Sequence, residues 1–332
     1  MSNGDSQYLL IIQRRFTVSI TIMIDSTADT TPAVREKCRV VPLSVRFGET
    51  EYIDGVTINH KEFYEKLIES DLLPTTSQPT PDAFARAYQA EIDQGNQVVV
   101  LTLASELSGT YQSASIAAMD FPDQVFVVDT RSAAIGAGIL AEMAVDMVHQ
   151  GSSAQQIVEK LSAERNYVRV VAMLDTLEYL KKGGRISKTV AFAGNLLAIK
   201  PVVNILNGSI NMLGKARGSK QANNLLAEEI QKAGGVDFDK PVLLGYTGLS
   251  DALLQKYIAD SAALWSGSKS ELNVTPIGSV IGTHAGLQVG GDGATHAAIE
   301  DVAIMRSFPN MTIVQPADAV AAKALAHAAV DF

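Results

Sequence analysis

The chain has 332 residues, of which 47% are hydrophobic and 19% charged, so it can bury a large core and is long enough for about two domains. Its formal net charge is −9 and no dense stripe of Lys and Arg occurs. This argues against binding to nucleic acid or to anionic membrane surfaces, because proteins bind both through many positive charges. A single cysteine, Cys38, excludes an intramolecular disulfide and favours a cytoplasmic location.

The N-terminal segment Tyr8–Ile24 is apolar, but polar residues at 13–15 divide it. Neither part approaches the ~20 residues that a membrane-spanning helix needs. We therefore expect no stable membrane insertion. Residues 1–16 are predicted to form a disordered leader outside the fold, and the first strand is predicted over residues 17–24.

Short β-rich runs alternate with amphipathic stretches in the first half of the chain. The runs at 17–24, 97–103 and 124–129 are rich in Val and Ile, and a turn and a helical pattern follow each of them. This alternation indicates βα units on a buried parallel sheet. Thr31 followed by Pro32 marks a helix start, because Thr caps the helix and Pro fits its first position.

The second half of the chain has paired strands with glycine turns. Within residues 199–218, the dipeptide Asn207-Gly208 separates two strand-like segments, which is a strong hairpin signal. The predicted fold class is therefore α/β. A parallel-sheet domain is expected over residues 17–165 and a second, mixed α/β domain over residues 166–284.

Four polar clusters lie where predicted strands or helices end, which is where ligands bind in open α/β sheets. The first, at 25–29, does not fit a phosphatase-type nucleophile loop, because Thr27 stands where a second aspartate is required. A structural turn is the favoured interpretation. The second cluster, at 74–79, places hydroxyl and amide side chains between two prolines and by itself is an ordinary polar loop.

The third cluster, at 107–113, follows a strand and opens a helix. Its hydroxyl and backbone N–H groups either bind an anion at the positive helix end or only cap the helix. In the fourth cluster, at 183–187, a glycine-rich turn presents Arg185, which is either a surface residue or a two-pronged partner for a carboxylate. Nucleotide-binding motifs fail on spacing, and the isolated cysteine and the five histidines show no metal-ligand spacing. No metal or cofactor is predicted.

Seven ordered motifs resemble the DegV family of fatty-acid-binding proteins over about residues 17–284. The motifs are DSTAD at 25–29, VVPLSVRFGETEYIDGV at 40–56, PTTSQPTPDAF at 74–84, LSGTYQSA at 107–114, DTLEYLKKGGRISK at 175–188, IKPVVNI at 199–205 and IGTHAG at 281–286. The resemblance implies a two-domain DegV-like α/β protein.

The resemblance also implies a function. The protein would hold one long-chain fatty acid in an internal tunnel and present its carboxylate to the catalytic subunit of a fatty acid kinase, with no catalytic residue of its own. The head-group residues implied by the matching motifs are Thr76, Ser108, Arg185 and His284. Hydroxyl, imidazole and guanidinium groups together satisfy a carboxylate that is otherwise costly to bury.

Beyond residue 284 the sequence departs from the DegV pattern. Residues 285–332 resemble a fragment of the transketolase pyrimidine-binding domain, with Gly291–His296 as its core, so the C-terminus is expected to be chimeric and to pack poorly. One alternative function is thus a transketolase-like thiamine diphosphate enzyme fragment, in which His296 would lie near the sugar substrate. A second alternative is a non-catalytic oligomeric scaffold whose polar loops are only caps.

Overall fold

The computed structural model describes residues 19–70, 72–186 and 199–287. Within these ranges the strands are β1 (Ile20–Asp25), β2 (Cys38–Val41), β3 (Ser44–Phe47), β4 (Thr50–Ile53), β5 (Thr75–Ser77), β6 (Gln97–Thr102), β7 (Val125–Asp129), β8 (Val170–Met173), β9 (Ile199–Leu206), β10 (Ser209–Arg217), β11 (Leu243–Tyr246) and β12 (Asn273–Pro276). The helices are α1 (Pro32–Arg35), α2 (His60–Glu69), α3 (Pro81–Ile92), α4 (Thr110–Ala118), α5 (Ala134–His149), α6 (Ala154–Glu164), α7 (Glu178–Lys182), α8 (Gly218–Lys232), α9 (Ala252–Asp260), α10 (Ala262–Trp265) and α11 (Ser279–Ala285).

A four-stranded parallel sheet with the order β2-β1-β6-β7 forms the largest layer. One of its two central strands, β6, is buried on both faces from Val98 to Thr102, which explains its nearly continuous apolar sequence. Helices α5 and α6 cover one face, where Leu140 and Ile157 join the core. Helices α3 and α4 cover the other face, with Tyr88 in the core. The predicted parallel-sheet α/β fold is confirmed.

The predicted helix start at Thr31 is also confirmed. The Thr31 side chain accepts a hydrogen bond from the backbone N–H of Val34, and Pro32 occupies the first helical turn. Because the proline has no N–H, it leaves no donor unsatisfied at this end. The first strand, predicted over residues 17–24, is found at Ile20–Asp25.

Two antiparallel sheets follow the order β4-β3-β5 and β10-β9-β8, and β11 and β12 form a parallel pair. The predicted hairpin joins β9 to β10 through Asn207 and Gly208, whose φ angles are 52° and 84°. Positive φ at both turn positions matches the twist of the flanking strands, which is why Asn-Gly is favoured there. The second half of the fold, which contains β8 to β12, is therefore mixed α/β, as predicted. The antiparallel sheet β4-β3-β5 lies in the first half, where the sequence predicted only the parallel sheet.

Helix α11 links the small sheet β4-β3-β5 to the rest of the molecule. It packs on α2, α7, β3 and β5. Val280 of α11 shares a core with Val45 of β3 and with Phe63 and Tyr64 of α2. This packing fixes the position of the residues at the C-terminal end of α11.

The predicted division between two domains at residue 165 stays a prediction, and it would fall in the connection between α6 and β8. The predicted leader, residues 1–16, lies outside the described residues, as do residues 288–332 of the predicted tail. Within the described part of the chain, no helix combines the length and the apolar character needed to cross a membrane.

Candidate functional site

A cavity of about 510 Å³ is bounded by β5, β8, β9, α8, α9 and α11 and by the loops that precede α4 and follow α7. Its volume falls within the range of about 300–1,000 Å³ that is usual for small-molecule sites. Most of the wall is aliphatic, and residues such as Leu103, Val171, Leu226 and Ile281 contribute to it. The cavity therefore suits a largely apolar ligand.

The four residues predicted to bind a head group all line this cavity: Thr76, Ser108, Arg185 and His284. They come from β5, from the loop before α4, from the turn after α7 and from the last turn of α11. The fold brings them together from distant parts of the sequence. Their role as ligands of a carboxylate stays a prediction.

Thr76 and His284 are in direct contact, with 2.9 Å between Thr76 Oγ1 and His284 Nε2. Thr76 is half-buried between two exposed neighbours on β5, because side chains alternate between the faces of a strand. Its backbone pairs with Val45 of β3, and α11 packs on both strands. The hydroxyl and the imidazole thus form one polar unit on the cavity wall.

The other ring nitrogen of His284, Nδ1, is buried and has no hydrogen-bond partner among the described residues. A Cβ atom on Gly183 would lie 2.4 Å from this nitrogen, so only glycine leaves room for the ring at that position. Burial, followed by the nearby positive charge of Arg185, lowers the pKa of His284 to about 4. The imidazole is therefore neutral at pH 7, and Arg185 supplies the positive charge at this site.

Arg185 connects two of the polar loops. Its Nε atom donates to the carbonyl oxygen of Leu107 at 3.0 Å, and Nη1 donates to the carbonyl oxygen of Gly183. Since Leu107 directly precedes Ser108, the guanidinium fixes the loop that carries the serine hydroxyl. Arg185 is half-buried on the cavity wall and is not a free surface side chain.

Ser108 has a capping role as well as a place on the cavity wall. Its Oγ lies 2.9 Å from Thr110 Oγ1 and accepts a hydrogen bond from the Thr110 backbone N–H at 3.3 Å. These contacts order the start of α4. The two interpretations of the third polar cluster, capping and ligand contact, are thus compatible at this residue.

Gln78 is a wall residue that the sequence prediction did not single out. Its Nε2 atom donates to Ser113 Oγ of α4 at 3.0 Å, which joins the second polar cluster to the third. Its place between Pro74 and Pro79, in the same loop as Thr76, was the available signal. The predicted loop therefore contributes three polar residues to the cavity wall, Thr76, Ser77 and Gln78.

The first polar cluster forms a structural turn, as predicted. The buried carboxylate of Asp25 accepts hydrogen bonds from the backbone N–H groups of Thr27 at 2.9 Å and Leu103 at 2.7 Å, and from the Thr27 hydroxyl. This arrangement joins the end of β1 to the residue that follows β6. Asp25 is not on the cavity wall.

Two further buried carboxylates hold the start of α11. Asp29 accepts a hydrogen bond from the Gly278 backbone N–H at 2.8 Å, and Asp54 accepts one from the Ser279 hydroxyl. Burial raises the pKa of both carboxyls. Because α11 carries His284 at its other end, these two residues position the imidazole from a distance.

A family model and individual relatives of known sequence both match this chain, and both point to the same family. A family model described as "Uncharacterised protein, DegV family" matches residues 19–294, which continues past the end predicted at residue 284. A DegV domain-containing protein of Caldanaerobacter subterraneus is 34% identical over 259 residues, covering 76% of this chain and 89% of the relative. A DegV domain-containing protein of Deinococcus radiodurans is 36% identical and covers 65% of this chain and 77% of the relative.

Solved structures agree with the fold. A fatty-acid-binding DegV family protein from Thermus thermophilus superposes with a TM-score of 0.73 at 34% identity, covering 81% of this chain and 96% of that one. A stearic acid-binding protein from Eubacterium ventriosum gives a TM-score of 0.72 at 31% identity, with coverage of 80% and 94%. Family model, relatives and fold agree, and this chain belongs to the DegV family.

Proposed function

We propose that this protein binds a long-chain fatty acid, with the carboxylate at Thr76, Ser108, Arg185 and His284 and the acyl chain along the aliphatic wall. The observation that carries the proposal is that these four polar side chains, distant in sequence, meet on the wall of one largely apolar cavity. The solved DegV family structures from Thermus thermophilus and Eubacterium ventriosum, described as binding a fatty acid and stearic acid, support it.

The chemistry of the cavity matches the two parts of such a ligand. Arg185 offers charge-assisted hydrogen bonds to a carboxylate, and the hydroxyls of Thr76 and Ser108 offer neutral ones. The acyl chain gains about 0.8 kcal/mol for each buried methylene, so about 14 methylenes give a gross gain near 11 kcal/mol before the entropic cost of binding. Affinity then comes mainly from the chain, and orientation comes from the head group.

The proposal extends to a partner. A carrier of this kind would present the carboxylate to the catalytic subunit of a fatty acid kinase, which transfers a phosphoryl group to it and forms an acyl phosphate. The carrier itself would catalyse no step, need no cofactor and work in the cytoplasm. The family resemblance motivates this part of the proposal.

The organisation of the chain belongs to the same proposal. Residues 17–165 and 166–284 would form two domains that share the cavity, since its wall includes residues from both, such as Leu103 and Val203. The segment 285–332 would be a chimeric tail that adds no thiamine diphosphate site.

The test is to identify what the protein carries. The full chain is purified, native mass spectrometry measures the mass of the complex, and the extracted ligand is identified as a lipid. Delipidated protein is then titrated with stearic acid and, separately, with thiamine diphosphate. We expect one bound fatty acid per chain and saturable binding of stearic acid. Binding of thiamine diphosphate at micromolar concentration with no binding of stearic acid would instead support the transketolase-like alternative.

A further inference from the structure

Two amide side chains on the cavity wall have buried oxygen atoms for which the described part of the chain supplies no hydrogen-bond partner. The Oδ1 atoms of Asn204 on β9 and Asn223 on α8 are buried and have no hydrogen-bond partner among the described residues. Both residues line the cavity. Buried side-chain polar atoms are normally paired, so two unpaired ones on one ligand-sized cavity need an explanation.

The two asparagines belong to the same region of the wall. Asn204 lies on the same face of its sheet as Val202, whose partner across the ladder is Gly214. A Cβ atom on Gly214 would lie 2.8 Å from the side chain of Leu225 on α8, so this face of the sheet is the one that α8 covers. Asn204 therefore faces the helix that carries Asn223.

The head-group elements pack on the opposite face of β9, because Val203, the neighbour of Asn204 on this strand, shares a core with Leu180, Ile186 and Ala285. Helix α8 packs on β8, β9 and β10, whereas α11 packs on α2, α7, β3 and β5. The contacts of Thr76, Arg185 and His284 run among the second set of elements and the Leu107 loop. The two amides would thus meet the acyl chain and not the carboxylate.

We propose that this cavity accepts a hydroxylated long-chain fatty acid, whose hydroxyl group on the acyl chain binds Asn204 and Asn223. This inference rests on the proposed fatty-acid-binding function. A plain methylene chain would leave both amides unsatisfied, which is unfavourable in a buried site. A hydroxyl carries one donor and also accepts, so one hydroxyl can donate to the Oδ1 atom of one asparagine and accept from the Nδ2 group of the other. Sites with buried polar groups discriminate against analogues that lack the matching group.

The test compares ligands by calorimetric titration of the delipidated full chain. Stearic acid is compared with hydroxystearic acids that carry the hydroxyl at different mid-chain carbons and with one that carries it next to the carboxylate. We expect one mid-chain isomer to bind about tenfold more tightly than stearic acid, as one or two net hydrogen bonds would give. The isomer with the hydroxyl next to the carboxylate should show no such gain.

Variants assign the effect to the two amides. Asn204→Leu combined with Asn223→Leu should remove the preference and tighten the binding of stearic acid. The matched control is Asn224→Leu, because Asn224 is an exposed neighbour on the same helix and does not line the cavity. Circular dichroism checks the fold of each variant, and the comparison of isomers on the unmodified protein stands without any variant.

The outcomes separate this inference from the proposed function. If stearic acid binds at least as tightly as every hydroxystearic acid, the amides do not select a hydroxyl and the inference is wrong, while fatty acid binding stands. If the preference persists in the folded Leu variants, Asn204 and Asn223 are not its source and the inference is also wrong. If neither stearic nor any hydroxystearic acid binds, the proposed function itself fails.

Discussion

The imidazole of His284 lies near the guanidinium of Arg185, whose positive charge opposes protonation of the ring. The carboxylate of the proposed fatty acid would bind beside the same imidazole. With a pKa lowered to about 4, it is neutral in the ligand-free protein at neutral pH. Neutral His284 exchanges a hydrogen bond with Thr76, and which of the two donates depends on the tautomer. A carboxylate placed beside this pair changes the electrostatics, because a negative charge favours the protonated imidazole.

We therefore expect stearic acid to raise the pKa of His284 from its ligand-free value of about 4. The measurement is an NMR titration of the histidine ring protons with and without saturating ligand. The spectrum of His284→Gln assigns the resonance. The ring resonances of His149, which is exposed at the end of α5 and does not line the cavity, serve as an internal control and should not move when the ligand is added at constant pH. An unchanged His284 titration at saturation would place the carboxylate elsewhere.

Replacing the cavity hydroxyls tests the head-group assignment directly. Ser108→Ala or Thr76→Ala should weaken stearic acid binding by about 1–2 kcal/mol for each lost hydrogen bond to the charged carboxylate. Calorimetric titration measures the change. Thr75→Ala is the matched control, because Thr75 is the exposed neighbour on β5 and is not part of the cavity wall. Wild-type affinity in both single variants and in the double variant would refute the assignment.

Arg185 is expected to matter more for phosphoryl transfer than for binding. The hydrogen bond from Arg185 Nε to the Leu107 carbonyl oxygen orders the loop that carries Ser108. Loss of the Arg185 side chain would therefore remove one contact to the fatty acid carboxylate and would also disturb how the site presents that carboxylate to the kinase. Arg185→Ala should lower kinase-dependent acyl phosphate formation by a larger factor than it lowers stearic acid affinity. Lys182→Ala, an exposed change in the preceding turn, is the control. Equal losses in the two assays would instead assign Arg185 to head-group binding alone.

At the scale of elements, α11 is held at both ends by groups far away in sequence. Asp29 and Asp54 bind its first residues, and its last turn meets β5 through Thr76. Both carboxyls have raised pKa values because they are buried. Burial at these positions disfavours the ionised form of each carboxyl group, so the folded protein is less stable when these groups are ionised than when they are protonated.

The pH dependence that follows has the opposite sign to that of a salt-bridged aspartate. Because the folded-state pKa of Asp29 lies well above the ordinary value of 3.8, the folded state binds the proton more tightly than the unfolded state does. Stability from this group is therefore fully present below pH 3.8 and is lost as pH rises through the folded-state pKa. Relative to Asp29→Asn, which does not titrate, the wild type should gain stability as pH falls from 7 towards 4.

Urea unfolding at a series of pH values measures this difference. Asp120→Asn, a change at an exposed position just after α4, is the control for the loss of one carboxyl group. Comparing variants cancels the contribution of His284, whose lowered pKa makes stability fall as pH decreases from 6.5 to about 4. The quantity compared is the unfolding free energy of the wild type minus that of Asp29→Asn. If this difference is constant with pH, or grows as pH rises, the folded state does not raise the pKa of Asp29.

At the scale of the whole molecule, the family match and the proposed chimeric tail overlap. The match extends to residue 294, whereas the transketolase-like resemblance begins at 285 and continues to 332. If the DegV-like part is the functional fold, the residues after 294 add nothing to ligand binding.

Removal of residues 295–332 should leave stearic acid affinity within about twofold, since the described cavity wall ends at Ala285. Neither the full chain nor the shortened one should bind thiamine diphosphate. Calorimetric titrations with both ligands measure this, and the melting temperature shows whether the shortened chain still folds. A large loss of stearic acid affinity in a folded, shortened protein would make the tail an integrated part of the site.

Sequence patterns alone predicted much of this protein because the physics behind them is local. Alternating apolar runs required a buried parallel sheet, Thr31 and Pro32 fixed a helix start, and Asn207-Gly208 fixed a hairpin, each through backbone preferences of neighbouring residues. The four polar clusters were also recognisable from the sequence, because each is a short run of neighbouring residues. Motif order then identified the family, which supplied four candidate residues that spacing could not connect.

Tertiary structure decided everything that depends on groups far apart in the chain. Thr76 and His284 are 208 residues apart, and only the packing of α11 on β5 brings their side chains into contact. The neutral state of His284 follows from burial and from Arg185, neither of which a motif reveals. The Oδ1 atoms of Asn204 and Asn223, which have no hydrogen-bond partner among the described residues, were equally hidden from the sequence. Whether a polar atom is buried and unsatisfied is set by desolvation and long-range contacts and not by local sequence.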